Sequence, residues 1–341
     1  MLVVMRDHAS QATIDHVVDL LHEAGAEAHL SVGTVKTIIG VVGEREVVYA
    51  LELEGLPGVE EVIRVLKPYK LVTREFQPED TVIRVGRSTV GGGALAVIAG
   101  PCSIESEEQM MSVARDCAAA GATMIRGGAF KPRSSPYAFQ GMGLEGLKLL
   151  RAAGDSVGLP VVTEVLDVRD AEIVAEWADV LQVGARNMQN FMMLEELGTM
   201  RRPILLKRGL SATIEETLSA AEYVLKGGNR DLIVCERGIR TFETYTRNTL
   251  DLAAVAALKS LTHLPIIVDP SHATGRRDLV SPMSRAAVTA GADGIMVEVH
   301  PNPERAKCDG PQSLTPPDFA EMMTRIDPLM VLEGKHLGVE R

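Results

Sequence analysis

Residues 1–66 alternate apolar runs with one clear helical stripe. Leu2–Met5 reads as a strand, and Ile14, Val17, Val18 and Leu21 recur at helical spacing before Gly25. Ala26–Val32 and Val35–Val42 read as two further strands, with Gly33 in the turn between them. Glu44–Glu54 reads as a second helix and Val59–Leu66 as a closing strand. That order, βαββαβ, is the ferredoxin-like plan. Residues 67–94 read as a linker. Pro68, Pro78 and the Gly91–Gly93 run bracket a short strand, Thr81–Val85, with which Arg87–Val90 can pair as a hairpin.

From residue 95 short apolar strands alternate with helical segments eight times. The strands are Leu95–Ala99, Thr123–Arg126, Val161–Glu164, Val180–Val183, Ile204–Lys207, Leu232–Cys235, Ile266–Val268 and Gly294–Val299. Ser106 with Gln109 reads as a capping box whose helix Gly121 ends, and Thr213 with Glu216 repeats the opening. Eight β/α units within residues 95–341 have the rhythm of a (β/α)8 TIM barrel, an α/β fold. A doubly wound open sheet is the alternative, but no GxGxxG stands at a first βα turn.

Composition narrows the function. The chain has 341 residues, 46% hydrophobic and 24% charged, which is ordinary for a soluble protein. Aromatics at 4% and a net charge of −11 argue against a nucleic-acid or anionic-membrane partner. No apolar run approaches membrane-spanning length, and Arg6, Asp7 and His8 cut short the first apolar run. Cys102, Cys117, Cys235 and Cys308 form no CxxC, which fits a reducing cytoplasm. Cys117 and Cys235, in a helix and a strand, read as buried and inert. Met188, Met192 and Met193 read as packing residues. His8, His16, His22 and His29, irregularly spaced, read as ordinary surface histidines.

Against that acidic background Ile125–Gly141 reverses the sign. It holds Arg126, Lys131 and Arg133 and no acid, with glycines that allow close backbone approach and Pro132 and Pro136 fixing its path. A barrel keeps its chemistry at the carboxyl ends of its strands, where Cys102, Arg126, Glu164, Arg186, Lys207, Arg237, His272 and Glu298 stand. In a closed barrel the loops of strands seven, eight and one form one arc, carrying His272, Glu298, Asp309 and Cys102. One imidazole, one thiolate and two carboxylates can hold manganese, iron, cobalt or zinc. The other arc carries Arg126, Lys131, Arg133, Arg186, Lys207 and Arg237. These cations either pair with neighbours such as Glu164 and Glu236 or bind anionic ligands, and their number favours the second.

With these residues assembled, the chain resembles the 3-deoxy-D-arabino-heptulosonate 7-phosphate (DAHP) synthase family, in its Iβ type with an N-terminal ferredoxin-like regulatory domain. The resemblance rests on VLKPYKLVTREF, AGPCS, RGGAFKPRSSPYAFQG, VGARNMQNF, LLKRG, CERGIRTFE, VDPSHATGRRD and VEVHP, in that order along nearly the whole chain. It implies condensation of phosphoenolpyruvate with erythrose 4-phosphate, the first step of the shikimate pathway. It also implies Cys102, His272, Glu298 and Asp309 as ligands of a divalent metal. Arg126, Lys131, Arg186, Lys207 and Arg237 would bind phosphoenolpyruvate, and Arg133 and Ser134 the aldose phosphate. Ser134 stands where the family usually has Thr; the hydroxyl is kept. Lys131, Glu164 and a metal-bound water are the candidates for moving protons.

The resemblance further implies feedback inhibition by tyrosine or phenylalanine in a homotetramer, residues 1–66 closing over a barrel mouth with 67–94 as hinge. The rivals are the octulosonate phosphate synthases, which use arabinose 5-phosphate, and a metabolite sensor that has lost catalysis. The octulosonate enzymes typically carry Lys-Ala-Asn-Arg where this chain has Lys131-Pro132-Arg133-Ser134. An intact metal quartet speaks against the sensor.

Overall fold

The computed structural model describes residues 1–33, 35–63, 68–131 and 137–339, without the side chains of 45 and 46. Two compact units result: residues 1–80 with 260–263, and residues 81–259 with 264–341.

In the first unit β1 (Leu2–Met5), α1 (Gln11–Glu23), β2 (Glu27–Val32), β3 (Thr37–Val42), α2 (Arg45–Tyr49) and β4 (Val59–Ile63) follow in turn. The sheet is antiparallel in the order β2-β3-β1-β4, the ferredoxin-like topology. Val3, Met5, Ile39 and Val41, on one sheet face, share a core with Ile14, Val17 and Leu21 of α1. Ser10 caps α1 by accepting from the Thr13 amide. The helix expected over Glu44–Glu54 is shorter: α2 stops at Tyr49, and a 3-10 turn covers Leu53–Gly55. The physical reason is local. Glu52 adopts a left-handed backbone (φ 43°), which no α-helix passes through. The closing strand ends at Ile63, and the expected positions 64–66 lie outside the described residues.

The second unit opens with the hairpin β5 (Ile83–Val85) and β6 (Ser88–Val90). The barrel strands are β7 (Ala94–Gly100), β8 (Met124–Arg126), β9 (Val161–Val165), β10 (Val180–Val183), β11 (Ile204–Lys207), β12 (Leu232–Glu236), β13 (Ile266–Val268) and β14 (Gly294–Glu298). All pair in parallel with their neighbours, and β14 pairs with β7 to close the barrel. Between them run α3 (Glu107–Ala119), α4 (Gly143–Val157), α5 (Ala171–Trp177), α6 (Phe191–Thr199), α7 (Ile214–Lys226), α8 (Leu252–Leu261), α9 (Pro270–Thr274) and α10 (Arg277–Thr289). After them come α11 (Pro316–Leu332) and a short β15 (His336–Leu337), which adds to β7 at Ala94 and Leu95.

Thr213 and Glu216 form the full capping box. At α3 only half the expected box exists. Ser106 accepts from the Gln109 amide, but the Gln109 side chain is taken by the Glu105 amide and the Ser103 carbonyl. Met188 and Met193 are buried as expected. Met192 is 82% exposed, because it occupies the outer face of α6.

Parity along the strands sets what the barrel holds. Ala96, Ile98, Met124, Val162, Val180, Leu205, Ile233, Cys235, Ile267 and Met296 form one core cluster, joined by Ile83, Val85 and Val90 of the hairpin. Side chains alternate across a strand, so the next inward position lies two residues on. Those positions are Gly100, Arg126, Glu164, Gln182, Lys207, Arg237, Asp269 and Glu298.

Candidate active site

The inward parity that builds the apolar layer therefore builds the polar one above it. On β7 the position is Gly100, whose φ is 151°. A side chain there would strike the Arg126 carbonyl at 2.1 Å. The strand instead delivers Cys102 beyond its end. Likewise a Cβ at Gly184 would meet Glu164 Oε1 at 2.1 Å, so the bare backbone makes room for that carboxyl.

Cys102, His272, Glu298 and Asp309 each place one donor atom within 4.8 Å of the others. His272 enters on α9, capped by Asp269, whose Oδ1 accepts from the His272 amide at 2.9 Å. Asp269 Oδ2 accepts from His272 Nδ1 at 2.7 Å and from Lys207 Nζ at 2.5 Å. A fully buried carboxylate on Nδ1 assigns the proton there and leaves Nε2 with its lone pair. That lone pair faces Glu298 Oε1 at 3.3 Å and Asp309 Oδ2 at 3.8 Å. Cys102 Sγ lies 3.3 Å from Asp309 Oδ2 and 3.3 Å from Cys308 Sγ. Electron-rich atoms thus converge on one point, an arrangement a divalent cation resolves; the donor set fits a borderline metal.

The electrostatics agree. Burial raises the Glu298 carboxyl, but the Arg126 guanidinium, and His272 whenever its ring is protonated, overturn this and hold it below the ordinary range. For Asp269, His272 and Lys207 outweigh burial and hold it well below. Burial lowers His272 against the pull of Asp269 and Glu298, so the neutral, metal-binding imidazole is favoured. The Cys102 thiol is pushed well up by its hydrogen bond to Cys308, by burial and by Glu298; a bound cation reverses the sign of that local field.

Beside the quartet opens a cavity of about 340 Å³ lined by Arg126, Lys131, Arg186, Lys207, Arg237, Arg240 and Arg247 among others. Several of these cations have partners. Arg126 donates to Glu298 Oε1 at 3.0 Å, and Lys207 is bound to Asp269. Glu236 is taken by Arg208 at 2.8 Å, so it does not neutralise Arg237. Arg237 Nη1 is buried without a hydrogen-bond partner among the described residues, and burial lowers its pKa despite Asp269. A buried guanidinium donor left unmet at a cavity wall is suited to an anionic ligand. Lys131 Nζ donates to the Cys102 carbonyl at 3.0 Å. Burial depresses its pKa, yet Cys102 and Glu164 raise it overall, so it stays an ammonium. Glu164 accepts from Gln182 Nε2 at 3.2 Å.

The structure thus brings together Cys102, His272, Glu298 and Asp309, and around the adjoining cavity Arg126, Lys131, Arg186, Lys207 and Arg237. Arg133 and Ser134 lie outside the described residues. Reading strand ends for charge alone missed Asp269 and Gln182, which inward parity would have found. Arg240, Arg247, Cys308 and Gln312 come from loops and carried no such signal.

A barrel with this mouth has the side chains to hold a divalent cation beside small, multiply anionic molecules. Comparison with known proteins specifies the class. The model of the DAHP synthetase I family matches residues 78–331, and that of the DAHP synthase ferredoxin-like domain matches residues 1–67. The chain belongs to the DAHP synthetase I family. It is 51% identical over 329 residues to phospho-2-dehydro-3-deoxyheptonate aldolase of Thermotoga maritima, covering 96% of this chain and 97% of the relative. The crystal structure of that aldolase (DAHP synthase) from Thermotoga maritima superposes with a TM-score of 0.79 at 50% identity, covering 98% of each chain. A truncated form of the Thermotoga maritima synthase matches 79% of this chain and 99% of its own, with a TM-score of 0.75. The 2-dehydro-3-deoxyphosphooctonate aldolase of Syntrophotalea carbinolica is more distant, 33% identical over 68% of this chain and 90% of its own.

Proposed function

We propose that this chain condenses phosphoenolpyruvate with erythrose 4-phosphate to give DAHP and inorganic phosphate, opening aromatic amino acid biosynthesis. The observation that carries the reading is the four-donor cluster set against a cation-lined cavity. Family membership supplies the substrates.

Cys102, His272 through Nε2, Glu298 and Asp309 would hold a divalent metal, manganese, iron, cobalt or zinc. When bound, that ion supplies Lewis-acid polarisation of the aldehyde. The chain's own residues do the rest. Arg126, Lys131, Arg186, Lys207 and Arg237 take the phosphate and carboxylate of phosphoenolpyruvate, and Arg133 and Ser134 take the phosphate of the aldose. Screening of the substrates' charges by these cations lets two anions share a small cavity, and fixed contacts convert their encounter into a near-unimolecular step. The methylene carbon of phosphoenolpyruvate bonds to the aldehyde carbon. Water then adds at the enol-derived carbon and the phosphate leaves by carbon–oxygen cleavage. Lys131, an ammonium beside Cys102, and Glu164, held by Gln182, are the side chains placed to donate and accept the protons.

Phosphate release from phosphoenolpyruvate tests this. It should require erythrose 4-phosphate and stop with chelator. Release with arabinose 5-phosphate instead would assign the chain to the octulosonate chemistry, and release with neither aldose would leave the sensor reading.

Among the described residues, none of 1–66 belongs to the donor cluster or lines the cavity, and we propose that residues 1–66 carry feedback inhibition by tyrosine or phenylalanine, in a homotetrameric cytoplasmic enzyme. No helix among the described residues is long and apolar enough to cross a membrane. Only an effector with different affinity for two arrangements can shift their populations. Deleting residues 1–66 should leave an active enzyme that ignores both amino acids; a truncated enzyme that is still inhibited overturns the assignment. Light scattering of the intact chain tests the tetramer.

A further inference from the structure

Gln312 sits at the end of the 3-10 turn Gly310–Gln312 and is 3% exposed. Its Nε2 donates to Glu298 Oε2 at 2.7 Å, and its Oε1 accepts from Arg247 Nη1 at 3.0 Å. The same Nη1 lies 3.4 Å from Asp309 Oδ1. We propose that Arg247 and Gln312 are a positioning pair for the carboxylates Glu298 and Asp309, setting how tightly the centre holds its cation; this rests on the metal reading above.

Glu298 is fully buried, and each of its oxygens has a side-chain donor: Arg126 on Oε1 and Gln312 on Oε2. With Oε2 held by the amide, the oxygen turned toward His272 Nε2 is Oε1. An amide is the side chain suited to Oε2. A lysine would place a second full charge against the cation, and a carboxylate would repel Glu298 unless protonated. The amide passes the pull of Arg247 on to Glu298 while staying neutral, since a guanidinium on its oxygen polarises its N–H donors. Arg247 also steadies the second ligand. Asp309 has a left-handed backbone (φ 52°), a conformation that persists in a non-glycine residue only when its surroundings hold it. Here the Gln312 backbone N–H donates to the Asp309 carbonyl at 3.3 Å, Ser313 Oγ donates to the same carbonyl at 3.1 Å, and Arg247 pairs with the Asp309 side chain. Arg247 is itself anchored, its amide donating to the Thr274 carbonyl at 2.9 Å beyond His272. Two residues distant in sequence thereby tie both carboxylates to the histidine's helix.

The test is titration of chelator-stripped protein with cobalt(II), followed by the thiolate-to-cobalt absorption band and by equilibrium dialysis. Wild type should bind one equivalent with a band that Cys102→Ser removes. Absence of that band in wild type overturns the metal reading itself, separately from the pair. Gln312→Leu, close in size, should weaken cobalt binding about 10- to 100-fold in a protein that still folds, with the melting temperature lowered by the unmet Glu298 Oε2. Arg247→Ala should weaken it less, and the double variant should lose less than the product of the two single losses, because the residues act in series. Cobalt affinity of Gln312→Leu within twofold of wild type overturns the pair. Should Gln312→Leu fail to fold, the more exposed Arg247→Ala decides: weakened binding supports the pair, and unchanged binding overturns it.

Discussion

At one end of the barrel's interior the inward side chains are Ala96, Ile98, Met124, Val162 and Ile267, sealed by Ile83, Val85 and Val90 of the hairpin. One inward step further along the same strands they are Arg126, Glu164, Lys207, Asp269 and Glu298, all but Glu164 buried. The strands, the pleat and the parity are shared; only the side-chain chemistry changes. The lower layer stabilises by removing apolar area from water, about 1.5–3 kcal/mol per large side chain. The upper layer keeps charges out of water, which costs stability unless each has a partner. One end of the cylinder thus holds the fold while the other end spends part of that stability on chemistry.

The sharpest break in this comparison is Cys102→Ser. Replacing the soft thiolate should reduce phosphate release to background in metal-depleted buffer while circular dichroism stays that of wild type; full activity there would remove Cys102 from the metal site. Next is Lys207→Ala, which takes the ammonium from buried Asp269 and leaves it the two His272 donors. It should cost about 3–5 kcal/mol of stability as well as activity, read by denaturant unfolding and kinetics together. A purely kinetic effect would show that the Lys207–Asp269 pair contributes nothing to the fold. At the apolar end, Ile267→Ala should cost about 2–5 kcal/mol of stability with kcat unchanged; a large fall in kcat would mean the two layers are mechanically coupled. Arg237→Ala is the mirror image. Its Nη1 has no hydrogen-bond partner to lose among the described residues, so stability should hold while kcat/KM for phosphoenolpyruvate falls roughly ten- to hundredfold, about 1.5–3 kcal/mol. A lowered melting temperature with unchanged kinetics would make Arg237 a structural residue.

The barrel strands were legible because parallel strands buried on both faces read as short apolar runs, and turn and cap residues punctuate them. The quartet was legible because Cys102, His272 and Glu298 stand at strand ends. The helix over Glu44–Glu54 was misread because nothing in the side chains announces a left-handed backbone at Glu52. Which acids pair with the cations was not legible for a different reason. Glu236, next in sequence to Arg237, pairs instead with Arg208, while Lys207 reaches Asp269 two strands away. Which acid meets which cation depends on the pleat and on strand order. Gln312 and Arg247 lie further still from any local signal, since only the folded loops bring them to Glu298.

The seam between β7 and β14 joins the first and last strands of the barrel, in register from Gly294 opposite Ala96 to Glu298 opposite Gly100. Cys102 follows one side of that seam and Glu298 ends the other. A chain emerging from its N-terminus can lay down most of the cylinder and still possess no complete donor quartet, because the last pairing to become possible is the one that assembles it. Such a non-local contact is slow to close. On the proposed metal reading, an ion held by all four donors would require a closed barrel, and incomplete chains would offer it only scattered ligands. In refolding, the thiolate-to-cobalt band should rise with the final phase seen by fluorescence, not ahead of it; an earlier band would place ligand assembly before closure.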